Sequence, residues 1–191
     1  MTNRPRFDAP LLAWLTAILL ALAQTTACAE PHVLNGRIVG VTDGDTVTLL
    51  DEHNTLHKIR LAGIDAPESS MPYGQKAKAY LASMVFGQNV VARTRKQDRY
   101  GRTIATLMLG TQDANLAMVQ AGLAWHYKQY AREQPKAEAM AYAQAEEWAR
   151  AHGLGLWQDS EPTAPWDWRH CRQRHAFTKG ATPLTPIHLC K

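Results

Sequence analysis

Residues 36–51, GRIVGVTDGDTVTLLD, split into two β-branched runs around Asp43-Gly44. Asp-Gly between such runs is a strong hairpin signal, because the tight turns that join antiparallel strands need residues that accept unusual backbone angles. HKIRLAGID (57–65) adds a third extended run after a short turn near His53-Asn54. YGQKAKAYLASMVF (73–86) then changes period: Ala77, Tyr80, Leu81, Met84 and Val85 recur at three and four, one face of a helix that Gly87 ends. NVVARTRKQ (89–97) and RTIATLML (102–109) supply a fourth and a fifth strand around the turn Asp98-Arg99-Tyr100-Gly101. Three strands, a helix and two strands is the order of a five-stranded OB-fold barrel, an α+β arrangement here carrying about three helices. The further helices are expected over 114–121 and, behind Pro135, over 135–152.

Outside this block the chain changes character. Arg4 and Arg6 precede thirteen apolar or small residues, Leu11 to Ala23, and Ala27-Cys28-Ala29 has the small-x-small form of a cleavage site. Thirteen residues fall short of the roughly 20 that span a bilayer as a helix. Residues 1–29 therefore read as a secretory signal, which makes the protein exported, periplasmic or secreted; lipid attachment at Cys28 is the competing reading. Of 21 basic and 17 acidic residues, cleavage would take away Arg4, Arg6 and Asp8, leaving 19 against 16. That mild excess suits a polyanionic partner without requiring one. Residues 30–158 form the expected barrel domain. Residues 159–191, with Pro162, Pro165, Pro183 and Pro186 and no periodicity, are expected to be an irregular tail. Cys171 and Cys190 in that tail, in an oxidising compartment, suggest one disulfide. A zinc site with His170, His175 and His188 is weaker, since the spacing is irregular and no CxxC is present.

Residue parity places the charged groups. Asp45 shares the parity of Val47 and Leu49, and Asp65 that of Ile59 and Leu61, so both carboxylates are expected at strand ends on the apolar side. Buried carboxylates need a compensating cation, and a hard dication accepts carboxylate and carbonyl oxygens together. Ala66, extended ahead of Pro67, offers such a carbonyl. Turn formation by Asp43 and Asp45 and helix capping by Asp65 explain the acids equally well one at a time. Arg60 has the opposite parity and is expected on the other side of the sheet, either in a surface ion pair or as a fork for phosphate.

Taken in order, VTDGDTVTLL, KIRLAGIDAPE, YGQKAKAYL, DRYGR and NLAMVQAGLAW resemble the staphylococcal nuclease (thermonuclease) family, from about Val33 to Trp157. The resemblance implies a calcium-dependent phosphodiesterase on an OB-fold that cleaves DNA and RNA and leaves 3′-phosphates. It implies Asp45, Asp65 and the Ala66 carbonyl as Ca2+ ligands, Asp43 as support for the metal shell, Glu68 as general base, and Arg60 and Arg102 as the arginines that hold the phosphate. Arg99 and Tyr100, beside Arg102, and Tyr127 and Tyr130, in WHYKQY, are candidate substrate contacts, with core packing the alternative for the last two. The expected partner is nucleic acid, single strands preferred, met by a monomer without a stable protein partner. The competing function is a cell-envelope OB-fold module that binds nucleic acid without cutting it.

Overall fold

A computed structural model describes residues 32–177; the expected signal segment and Cys190 lie outside these. The strands are β1 (Val33–Asp43), β2 (Thr46–Asp51), β3 (Leu56–Leu61), β4 (Ile64–Asp65), β5 (Asn89–Gln97), β6 (Thr103–Leu109), β7 (Gln112–Asp113) and β8 (Trp125–His126). Helices α1 (Gly74–Val85), α2 (Ala114–Gln120), α3 (Lys136–Ala151) and α4 (Pro165–Phe177) accompany them.

The main sheet runs β3-β2-β1-β5-β6-β7, and a parallel pairing of β3 with β6 closes its first five strands into a barrel. β1 serves two partners, pairing β5 through Val33–Arg37 and β2 through Gly36–Asp43, with register shifts near Gly40 and Asp43. Such irregularities bend a strand and let a short sheet curl onto itself. Ile38, Val47, Leu49, Ile59, Leu61 and Leu107 fill the interior, and Leu81 and Val85 of α1 plug one end. Antiparallel hairpin, helix and second hairpin follow the order that the sequence dictates. No helix among the described residues is long and apolar enough to cross a membrane.

Asp113 joins the barrel to the helical side. Its Oδ1 accepts the Leu116 backbone N–H at 3.0 Å, capping α2, and its Oδ2 accepts the hydroxyl of the buried Tyr142 at 2.8 Å. Burial pushes the Asp113 carboxyl above its usual range, against those two hydrogen bonds. Asp113→Ala removes a cap worth about 1 kcal/mol. It also strands the Tyr142 hydroxyl, for about 1–3 kcal/mol more. Urea unfolding should therefore show a loss of roughly 2–4 kcal/mol. Asp113→Asn, which keeps an acceptor and carries no buried charge, should lose much less.

The tail corrects the sequence reading. Residues 165–177, expected to be irregular, form α4. Trp166 packs against a small second core of Trp125, Leu156 and Ala164, and Trp168 is 4% exposed. Cys171, on the same helix, is disulfide-bonded, its partner lying outside the described residues.

Candidate active site

The hairpin turn and the end of β3 build the site together. Gly44 lies so close to α1 that a Cβ there would stand 2.7 Å from the Cβ atoms of both Ala66 and Ala77, which only glycine tolerates. Asp45 is thereby held against the 65–66 segment: its Oδ2 accepts the Ala66 N–H at 2.8 Å and its Oδ1 the Thr46 hydroxyl at 3.1 Å. The Asp45 N–H in turn donates to Asp43 Oδ1 at 3.0 Å.

β3 does not run on into Asp65. Ala62 and Gly63 form a turn, with Gly63 at φ +71°, and the chain restarts as β4, which pairs with β8 through Ile64–His126 and Asp65–Trp125. Asp65 is completely buried.

Arg60 lies between the two acids rather than on the opposite side of the sheet. It ion-pairs with Asp45 and donates through Nη2 to Asp65 Oδ1 at 2.8 Å, with its side chain 13% exposed. The parity argument fails because both aspartates lie beyond regular strand: Asp45 precedes β2, and the 62–63 turn resets the alternation before Asp65. Burial favours a neutral guanidine, but Asp45, Asp65 and Asp43 raise the Arg60 pKa above its normal value.

Even so, the acids outnumber the cations. Asp43, Asp45, Asp65 and Glu68 face Arg60 and Arg169, four carboxyl groups against two guanidiniums. Burial pushes Asp45 up to about 7, helped by Asp43 and Asp65 and opposed by Arg60 and the Ala66 N–H. Among the described residues no group of three or more His, Cys, Asp or Glu is arranged to hold a metal ion. The donor chemistry nonetheless fits one: carboxyl groups that outnumber the guanidiniums, all presenting hard oxygens, are what a dication such as Ca2+ takes.

The remaining predicted residues fall into two groups. Glu68 joins the cluster, its Oε1 accepting from Arg169 Nη1 at 3.0 Å and its side chain 37% exposed. Arg102 does not: its Nε donates to Asp98 Oδ2 at 2.7 Å, and its guanidinium stacks over Tyr100. Arg99 also lies over Tyr100, which is largely exposed, so the 98–101 turn presents two guanidiniums and a ring to solvent. Tyr127 lies parallel to Trp166, ring centroids 5.3 Å and planes 3° apart, and meets Tyr130 edge-on at 4.9 Å. Lys96 is 5.5 Å from the Tyr130 ring centroid. The WHYKQY segment divides: Trp125 and His126 pack inward, Tyr127 lies within reach of the Asp65 charge, and Tyr130 stands exposed on the far side of Tyr127.

Sequence reasoning missed Arg169 and Trp166. Both come from α4, and the available signal was their spacing of three in PWDWR, one face of a helical turn, behind a proline suited to starting a helix.

A largely buried arginine shared by two acids, beside a partly exposed glutamate, thus lies at the rim of a five-stranded OB-fold barrel. Residues 58–159 match the family described as Staphylococcal nuclease homologue. An uncharacterized endonuclease of Haemophilus influenzae is 43% identical over 155 residues, covering 81% of this chain and 83% of that protein. Micrococcal nuclease of Shigella flexneri is 35% identical over 167 residues, covering 83% and 93%. Staphylococcal-like nuclease CAN1 of Arabidopsis thaliana is 41% identical over 112 residues, covering 59% and 33%. The chain belongs to the staphylococcal nuclease family.

Proposed function

We propose that the protein is an exported, calcium-dependent endonuclease that hydrolyses phosphodiester bonds of DNA and RNA to leave 3′-phosphates, acting as a monomer and preferring single strands. The observation that carries this reading is the Arg60 guanidinium clasped by Asp45 and Asp65, with Glu68 alongside, in a chain of this family. A binding module could use any basic surface and has no need of a buried acid cluster.

Asp45, Asp65 and the Ala66 carbonyl would hold the ion, with Asp43 bracing Asp45 through its backbone N–H. When bound, the dication supplies Lewis-acid charge beside the scissile phosphate. Arg60 supplies fixed positive charge to a phosphoryl group whose oxygens gain charge as water attacks. Glu68 takes the proton of that water. The P–O5′ bond breaks, the leaving oxygen is protonated to a 5′-hydroxyl, and the phosphate stays on the 3′ side. Arg102, once turned from Asp98 toward the strand, and the Tyr127–Tyr130 pair grip the phosphate and the bases of the strand.

Labelled single- and double-stranded DNA and RNA, incubated with the full protein in calcium, magnesium, manganese or chelator, test the proposal. Calcium should support cleavage to 3′-phosphate ends and chelator should abolish it. Binding without cutting under every ion would favour the non-catalytic module. The mass of the exported protein should correspond to a chain beginning at Glu30; a mass increased by acyl chains would instead indicate anchoring at Cys28.

A further inference from the structure

Asp65 has little coordination capacity left. Oδ1 accepts from Arg60 Nη2 at 2.8 Å and Arg169 Nη1 at 3.2 Å, and Oδ2 accepts from Arg169 Nη2 at 2.6 Å. These three donors occupy most of the roughly four lone-pair positions of a carboxylate. The Nη1 that reaches Asp65 also reaches Glu68 Oε1 at 3.0 Å. One guanidinium fork therefore covers both the principal acid of the metal site and the candidate base.

The two arginines of the cluster differ in freedom. Arg60 is 13% exposed and sits near the end of β3, where its backbone is paired on both sides, to β2 and to β6. Arg169 is 37% exposed and is carried on α4, the last helix among the described residues. Burial alone would lower its pKa, but Asp65 and Glu68 raise it, so it stays a cation throughout. A second cation on the same carboxylate would be repelled by it. One turn earlier on α4, Trp166 covers the face of Tyr127 on which a base would stack. α4 thus sets an aromatic ring and a positive charge over the acids and the stacking surface together.

We propose that Arg169 is a resident counter-cation that a divalent ion must displace, so that α4 acts as a latch over the catalytic acids and, on opening, uncovers Asp65, Glu68 and Tyr127 in a single movement. The inference rests on the metal-dependent reading above. A latch closed nine-tenths to ninety-nine hundredths of the time weakens apparent ion affinity by roughly ten- to a hundredfold.

Calorimetric titration of the full chain with calcium chloride, and separately with magnesium and manganese chloride, in the absence of nucleic acid, measures this directly. Arg169→Gln should bind the ion that the wild type binds about ten- to a hundredfold more tightly. Arg169→Lys, which keeps the charge but loses the fork, should fall between and gives a second measurement should glutamine disturb the fold. Hydrogen exchange over 165–177 should quicken when the ion is added to the wild type and should be fast already in Arg169→Gln. Equal affinities, with exchange in α4 indifferent to the ion, would overturn the latch and leave the metal site standing. If neither protein bound any of the three ions, the latch and the metal-dependent reading would fall together.

Discussion

Arg60→Ala is expected to lower folding stability by about 3–5 kcal/mol, because it removes one partner of a buried ion cluster and leaves the other uncompensated. Asp45 is 6% exposed and Asp65 is fully buried, and both are paired with this guanidinium. Without it, Asp43, Asp45 and Asp65 would repel one another across a site that solvent barely reaches, while Arg169 compensates only the Asp65 end. Whole domains are stable by only about 5–15 kcal/mol, so the variant should unfold at markedly lower urea concentration or temperature. Arg60→Lys keeps a charge but cannot reach both carboxylates with a rigid fork, and should lose a large part of the same stability. A melting curve for Arg60→Ala within a degree or two of the wild type would mean that the clasp contributes nothing to the fold.

Glu68→Gln should give the opposite pattern, an intact fold with the chemistry removed. Glutamine matches the shape of glutamate and can still accept from Arg169, and at 37% side-chain exposure the position carries little burial energy. A carboxylate that takes a proton from attacking water typically contributes 10² to 10⁴ in rate, so kcat for a short labelled oligonucleotide should fall by about that factor. KM should move little, since the lost interaction belongs to the transition state. Retention of kcat within threefold of wild type would remove Glu68 from the role of base.

The barrel was legible because its signals are local. Asp43-Gly44, the change of period at Ala77 and Gly87, and the 98–101 turn each act within a few residues, and the structure places a hairpin, a helix and a second hairpin there. The acids were legible in part: residue parity put Asp45 and Asp65 on the apolar side, where both are buried, although turn formation and capping accounted for each of them equally well one at a time. The place of Arg60 was not legible. Strand parity is valid only while the pleat continues, and the turn at Ala62-Gly63 interrupts it without leaving the apolar pattern that marks strands. α4 was hidden for a different reason. It is anchored by tryptophans among polar residues, so its buried contacts produce no apolar stripe of helical period. Arg102 shows a third limit. Its place beside the 98–101 turn followed from the chain order, but its pairing with Asp98 depends on a rotamer that no spacing encodes.

The parallel seam between β3 and β6 has a consequence for how the molecule comes into being. Ile59, Arg60 and Leu61 pair with Thr103, Ile104 and Ala105, so the strand that carries the clasp is locked only when a segment more than forty residues downstream arrives. Contacts so distant along the chain are entropically slow to form. A growing polypeptide that has emerged only as far as residue 100 already contains Asp45, Arg60, Asp65 and Glu68, but lacks β6, which closes the barrel beside Arg60, and β8, which pairs with Asp65. Fragments ending there would carry the full set of acids and Arg60 without the barrel closure that holds Arg60 in place.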